Sequence, residues 1–123
     1  KVCDMRARMH AAHPNRSAEF DLKHDAGGMV DIEFMTQYLV LAYSHAYPSL
    51  LDNAGNIALL QRAADEGLID KQLALQCADA YRRYRMLQHG LRLNEARYAR
   101  VEPQLLINES QAVKALWATL FAS

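Results

Sequence analysis

One acidic residue, Asp31, lies where an acidic side chain is costly. It belongs to the segment FDLKHDAGGMVDIEF, in which a long apolar helix pattern begins at Met29. In a helical projection of about 100° per residue, Met35, Tyr38 and Ala42 fall within about 40° of it. The carboxylate therefore lies in the middle of the apolar face, where an unpaired buried charge costs several kcal/mol.

Two interpretations of Asp31 are open from the sequence. An acid in the first turn of a helix can cap backbone amides and is favoured by the helix dipole. Alternatively, Asp31 makes a functional or interdomain contact and pairs with a cation, for which Arg85 and Lys23 are the expected partners. Glu33 and Gln37 fall on the opposite side of the same helix and form its polar face.

A pair of glycines precedes this helix. Gly27 and Gly28 resemble an anion-binding turn, because exposed amides and the positive end of a helix dipole favour phosphate. Lys23 is close enough in sequence to stand over the same helix end. Neither the Walker A pattern nor the dinucleotide-binding glycine pattern is present, so a plain turn is the favoured interpretation.

Histidines and cysteines favour structural roles. His10 and His13 have a spacing that two metal ligands on a helix can use, but no third ligand lies nearby in sequence. We therefore expect surface histidines and no metal site. Cys3 and Cys77 fall on helix stripes, where a small buried hydrophobe is the usual role, and no catalytic residue is predicted.

A basic run, YRRYRMLQHGLRLNEARYAR, predicts one long helix that carries several arginines. The arginines expected on it are Arg82, Arg83, Arg85, Arg92, Arg97 and Arg100. Most should form a solvated face, but Arg85 lies beside the apolar stripe and is the best candidate to pair with Asp31. Gln88 lies inside the stripe and needs a hydrogen-bond partner of its own.

Hydrophobic spacing predicts the elements that position these residues. We expect helices over residues 1–12, from Met29 to about Tyr47, from Ile57 towards Gly67, from Asp70 to about Arg100, and from Ser110 to Phe121. The stretch SAEFDLKHDAGG has no helical period and predicts an extended segment, able to pair as a lone short strand. The expected fold is all-α: a bundle of about five helices with one short extended glycine-containing entry segment.

Length and composition restrict the class of protein. The chain has 123 residues and a mass of 13.9 kDa, which fits a single helical domain over residues 1–123. Lys plus Arg and Asp plus Glu both total 14, so no excess positive charge favours nucleic acid or an anionic membrane. No apolar run is long enough for a membrane span, and two distant cysteines favour a reduced, cytoplasmic location. The chain opens in a helical pattern without an initiator Met, which predicts a fragment of a longer protein.

The segment FDLKHDAGGMVDIEFMTQYLVL closely resembles a segment of the bifunctional glutamine synthetase adenylyltransferase/adenylyl-removing enzyme (glutamate-ammonia-ligase adenylyltransferase). The family residues matched here are Lys23, Gly27, Gly28, Asp31, Ile32, Glu33, Phe34 and Gln37. The later segment AYRRYRMLQHGLRL is similar to a second family helix through Tyr81, Arg85, Leu87, His89 and Leu91. The family's acid and second Arg are replaced here by Gln88 and Gly90, which leaves any catalytic or pairing role at those two positions in doubt.

The resemblance implies a helical domain that follows a nucleotidyltransferase core. The amino-acid sequence of the segment is more similar to the C-terminal, adenylylating copy of this domain. The implied parent enzyme adenylylates and deadenylylates a tyrosine of glutamine synthetase in response to nitrogen status, with ATP and Mg²⁺. The implied partners are the nucleotidyltransferase domain of the same chain, glutamine synthetase and the PII signal protein. Lys23, Gly27, Gly28, Asp31 and Glu33 are the implied contacts with the nucleotide site or the neighbouring domain.

The chain alone is expected to be inactive. A nucleotidyltransferase core needs a Gly-Ser turn and a D-x-D pair that holds two Mg²⁺ ions, and neither motif occurs here. The expected part of this domain is to close or support the active site, to dock glutamine synthetase or to transmit signals. The competing hypothesis is a stand-alone helical interaction module, without nucleotide chemistry, in which Asp31 and Arg85 form only a core pair.

Overall fold

A computed structural model describes the backbone of residues 2–51 and 55–121 and the side chains of residues 4–50 and 55–121. The α-helices in this part of the chain are α1 (Val2–Ala12), α2 (Met29–Tyr43), α3 (Asn56–Asp65), α4 (Lys71–Leu93) and α5 (Ile107–Phe121). Single 3₁₀ turns cover Pro48–Leu51 and Pro103–Leu106. The predicted all-α bundle of about five helices is confirmed.

The extended entry segment pairs as predicted. Strand β1 (Phe20–Asp21) lies antiparallel to strand β2 (Arg100–Val101), with Phe20 opposite Val101 and Asp21 opposite Arg100. The amide of Leu22 also donates to the carbonyl of Ala99 at 2.9 Å. This ribbon holds the segment before α2 against the segment that follows α4.

Local capping explains two predicted helix ends. The side chain of Asp70 accepts a hydrogen bond of 2.9 Å from the amide of Leu73 and begins α4. Gly67, with φ of +78°, follows α3 in a Schellman motif, because the amide of Leu68 reaches the carbonyl of Ala63 at 2.9 Å.

Three predicted helix ends are wrong, and at the end of α4 the reason is a strand pairing distant in sequence. Helix α4 ends at Leu93 rather than near Arg100, since Glu95 turns the chain with φ of 59° and Arg100 is needed in β2. Helix α5 begins at Ile107 after a 3₁₀ turn, so Ser110 lies inside the helix and does not cap it. Helix α2 stops at Tyr43, ahead of the turns that lead to Pro48.

The core lies around α4, which packs against α3 and α5. Its largest fully buried side chain is Tyr84 of α4. The apolar side chains without any exposed area include Leu22, Ile32, Met35, Leu39, Leu60, Cys77, Leu106, Val113 and Leu116. Helix α1 differs, because none of its described side chains is buried. None of the described helices is long and apolar enough to cross a membrane.

Candidate functional site

Asp31 is completely buried at the start of α2, as its place on the apolar face predicts. Its carboxylate accepts two hydrogen bonds from Arg6 of α1, from Nε to Oδ1 and from Nη2 to Oδ2, each of 2.8 Å. Oδ2 also accepts a bond of 2.8 Å from the amide of Gly27. Both expected functions of this acid therefore occur together: it pairs with a cation and it caps a backbone amide.

The expected partner was wrong. Asp31 pairs with Arg6, whereas the predicted partner Arg85 is exposed on α4 with its guanidinium carbon 6.0 Å from the ring centroid of Tyr81. The other candidate, Lys23, lies half-buried beside a separate cleft. The physical reason is that α1 packs against α2 and places Arg6 beside the carboxylate of Asp31.

The Arg6 side chain is held on its other side by an aromatic ring. Its guanidinium carbon lies 4.1 Å from the centroid of Trp117 in α5, so the cation contacts a carboxylate and a ring face at once. His10 also faces this site, with Nε2 3.9 Å from Oδ1 of Asp31, which is too long for a hydrogen bond. No sequence pattern distinguishes Arg6 from the other arginines as the partner of Asp31.

Gly27 and Gly28 form a closely packed structural turn. Gly27 has φ of +87°, and a Cβ added there would lie 2.8 Å from the carbonyl oxygen of Ser110 in α5. A Cβ on Gly28 would lie 2.7 Å from the carbonyl oxygen of Leu22. Both glycines are buried, and Gly27 accepts a hydrogen bond of 2.8 Å from the hydroxyl of Tyr84. Burial raises the pKa of that hydroxyl, which keeps it a donor.

The amides at the start of α2 are already in use. Gly27 donates to Asp31, Gly28 to the carbonyl of Asp25, Met29 to that of Leu22, and Val30 to that of Lys23, all within 3.0 Å. An anion would have to displace these bonds and would meet the buried carboxylate of Asp31. Gly27 and Gly28 therefore form a structural turn, as expected from the absence of the Walker A and dinucleotide-binding patterns.

The polar face of α2 presents a carboxylate that is exposed and yet fixed. Glu33 accepts a hydrogen bond of 3.0 Å from the hydroxyl of Tyr81 in α4, and this hydroxyl accepts a bond of 3.1 Å from Nδ2 of Asn56 in α3. Asn56 in turn accepts a hydrogen bond from Thr36 of α2. Burial and the neighbouring Glu33 raise the pKa of Tyr81, so its hydroxyl remains a donor.

The remaining candidates occupy structural or surface positions. Cys77 is buried as predicted, and burial raises the pKa of its thiol to about 12, which makes it unreactive near neutral pH. Cys3 lies outside the described side chains. His13 stacks on His24 with ring centroids 4.0 Å apart. In the described residues no group of three or more His, Cys, Asp or Glu side chains is placed to hold a metal ion.

Comparison with known proteins supplies the family. The model of the GlnD PII-uridylyltransferase family matches residues 1–117. A bifunctional glutamine synthetase adenylyltransferase/adenylyl-removing enzyme of Burkholderia mallei is 49% identical over 100% of the chain, which spans 13% of that relative. Enzymes of the same name from Bordetella bronchiseptica and Nitrosomonas europaea are 52% and 43% identical over 98% and 100% of the chain, which spans 13% and 15% of their lengths. The chain belongs to the GlnD PII-uridylyltransferase family, and its relatives confirm the resemblance to the bifunctional glutamine synthetase adenylyltransferase/adenylyl-removing enzyme.

Proposed function

We propose that this chain is a helical domain of an enzyme that adenylylates and deadenylylates a tyrosine of glutamine synthetase in response to nitrogen status. Support comes from the names of relatives about half identical over the whole chain, although the chain spans only 13% of the first of them. The segment around α2 is nearer to the C-terminal, adenylylating copy of the domain. In this proposal the domain closes or supports the active site of a neighbouring nucleotidyltransferase domain.

The chemistry is assigned to that neighbouring domain. ATP and Mg²⁺ are assigned to the parent enzyme; in support, the described residues include no group of three or more metal-ligating side chains, and the amides at the start of α2 are occupied. Glutamine synthetase and the PII signal protein are the proposed partners of the whole enzyme. The chain alone should transfer no AMP.

Helix α2 is built to present its polar face in a fixed position. Its buried face is anchored through Asp31, which connects it to α1 and to the glycine turn. Gln37 and Glu33 lie exposed on the opposite face. A rigid helix with one anchored face keeps the other face at a constant position relative to a neighbouring domain.

The observation that carries the proposal is the hydrogen bond between Tyr81 and Glu33. An exposed glutamate normally samples several rotamers, and holding one of them costs side-chain entropy. The hydroxyl of Tyr81, which itself accepts a hydrogen bond from the side-chain amide of Asn56, holds the Glu33 carboxylate in one direction. A charge fixed in this way is suited to contact the active-site domain or its nucleotide-binding surface, and Lys23 is the second proposed contact.

The proposal is tested in the full-length enzyme with Glu33→Gln. Adenylylation and deadenylylation of glutamine synthetase are assayed separately, and we expect a loss of about tenfold in the reaction of the adjacent core. Tyr81→Phe keeps the carboxylate and removes the bond that holds it, so we expect a smaller loss in the same reaction. Thermal unfolding of each variant shows whether the domain is still folded.

The matched control is Glu66→Gln, which removes an exposed glutamate at the end of α3. If Glu33→Gln and Tyr81→Phe both retain the rates of Glu66→Gln in the two reactions, Glu33 does not act on the neighbouring domain. The proposed contact of Glu33 with the active site of the neighbouring domain would then be wrong.

A further inference from the structure

A cleft of about 220 Å³ lies between the end of α4, the segment after it and the residues that follow β1. Three cationic side chains line it: Lys23, Arg92 and Arg97. Arg92 is in the last turn of α4, Arg97 is in the following loop, and Lys23 is in the turn before α2. Residues far apart in sequence thus bring three positive charges to one concave surface.

None of these three cations has a carboxylate partner among the described residues. Arg97 lies over Tyr98, with its guanidinium carbon 5.3 Å from the ring centroid, which restricts the direction of its side chain. Gln88 also lines the cleft, half-buried, and no hydrogen bond to its side chain is formed within the described residues. Positive charge and unused hydrogen-bond donors therefore meet in the same place.

The carboxylate that lines the cleft, that of Asp21, has polar contacts of its own. Oδ1 of Asp21 accepts hydrogen bonds of 3.0 Å from the amides of Lys23 and His24. Oδ2 lies 3.5 Å from Nε of Arg100, which is itself held over Tyr98 at 3.9 Å. Among the described residues, Asp21 therefore forms no ion pair with Lys23, Arg92 or Arg97.

The negative end of α4 is also occupied. Its last carbonyls accept backbone bonds from the chain that turns back at Glu95: Gly90 from Asn94, Leu91 from Ala96, and Arg92 from Glu95. These carbonyls are the groups that would otherwise repel an anion or bind the arginines. The cleft therefore presents guanidinium and ammonium donors rather than acceptors.

We propose that this cleft binds a phosphate group, as the free dianion or as a phosphate monoester. Two guanidinium groups offer paired donors that match the oxygen spacing of a phosphate, and a lysine adds a point charge. The cleft is smaller than the pockets that usually enclose a drug-sized ligand, which favours a compact anion over a large one. The cleft shares Lys23 with the proposed contact to the neighbouring domain but contains neither Asp31 nor Glu33, and its test uses this chain alone.

The first experiment titrates the 123-residue chain with inorganic phosphate and follows the His24 ring protons by NMR. His24 also lines the cleft; burial lowers its pKa, and the neighbouring positive charges, Lys23 among them, lower it further. Bound phosphate supplies negative charge beside the imidazole, so we expect a saturable shift and a higher pKa of His24. We expect a dissociation constant of about 1 mM or lower, weakened by added salt.

The second experiment repeats the titration with Arg92→Gln and Arg97→Gln, each of which should weaken phosphate binding about tenfold. The matched control is Arg82→Gln on α4, because Arg82 pairs with Asp79 outside the cleft. Its affinity for phosphate should equal that of the unmodified chain. Both test variants alter exposed side chains and should leave the thermal midpoint nearly unchanged.

Three results would overturn the proposal. The first is a phosphate titration without saturation, and the second is equal weakening by Arg82→Gln and the two cleft variants. The third concerns the type of anion: succinate, a dicarboxylate of similar charge, serves as a second probe. Binding of succinate as tight as that of phosphate would contradict recognition of a phosphate group.

Discussion

A carboxylate buried in a helical bundle is stable only when its charge and its hydrogen-bonding capacity are matched. Asp31 meets both conditions, because Arg6 supplies a bidentate cation and Gly27 supplies a backbone amide. The burial of Asp31 followed from its place on the apolar face of α2. Its partner did not, since many arginines are available in the sequence and only the tertiary arrangement selects Arg6.

Also at the residue scale, His24 should make the stability of the chain depend on pH. Burial lowers its pKa below 6.5, and the neighbouring His13, Lys23 and His10 lower it further, while Asp21 opposes them. Below about pH 6.5 the unfolded chain takes up a proton that the folded chain does not. The stability present above that pH is therefore progressively lost as the pH falls towards the folded-state pKa of His24.

NMR titration in phosphate-free buffer and urea unfolding at pH 7.5 and pH 5.5 check this prediction. His13→Gln removes a positive neighbour and should move the pKa of His24 back towards its usual value. His89→Gln, at an exposed position of α4, is the control and should leave that pKa unchanged. A pKa of His24 at or above 6.5 in the unmodified chain would contradict the expected pH dependence.

At the scale of elements, three glycines have different roles that substitution can separate. Gly90 lies inside α4, and a Cβ added there meets no atom within 4 Å, so Gly90→Ala should stabilise the chain by about 1 kcal/mol. Gly67 also has open space, but its φ of +78° makes Gly67→Ala destabilising by about 1 kcal/mol. Gly27→Ala should cost more than either, because it adds a clash with the backbone of Ser110.

Urea unfolding at pH 7.5 measures these differences. The pair Gly90→Ala and Gly67→Ala makes the same chemical change at two positions where a methyl group has room. Changes of opposite sign in the free energy of unfolding therefore reflect a difference in backbone conformation rather than in packing. Equal effects at the two positions would show that the positive φ after α3 is not a constraint on stability.

Helix ends could be predicted where the signal is local. Asp70 begins α4 and Gly67 follows α3 because capping depends on residues within one turn. The end of α4 could not be predicted, because Arg100 belongs to a strand that pairs with Asp21, far away in sequence. Glu95 at φ of 59° gave no signal, because a non-glycine residue rarely occupies that conformation.

At the scale of the whole molecule, the sequence predicted the all-α bundle and the burial of Asp31, but not the arrangement that connects its helices. Periodicity shows which face of each helix is apolar and leaves open which helix covers it. Helix α1 shows this most clearly: its described side chains are all at least partly exposed, and yet it supplies the partner of the most buried acid. Gln88 likewise faces a cleft that exists only because the chain turns back after α4.

Among the described residues, the attachment of α1 depends mainly on the side chain of Arg6. Without a buried apolar residue among those described, α1 is held to the bundle by the contacts of Arg6 with Asp31 and Trp117 and by the His13–His24 stack. Arg6→Ala should therefore release α1 while α2 to α5 stay folded. Departure of α1 also admits water to Asp31, which limits the cost of the unpaired carboxylate.

Hydrogen exchange of the backbone amides measures this release directly. In Arg6→Ala we expect the protection of α1 to fall at least about tenfold, while the protection of the α4 core amides is retained. Alanine has a higher helix propensity than arginine, so intrinsic propensity alone would strengthen α1 and cannot produce the expected loss. Arg8→Ala is the matched control, because it makes the same substitution at an exposed position of α1 and removes no contact with Asp31. Equal protection of α1 in the two variants would mean that the Arg6–Asp31 pair does not hold the helix in place.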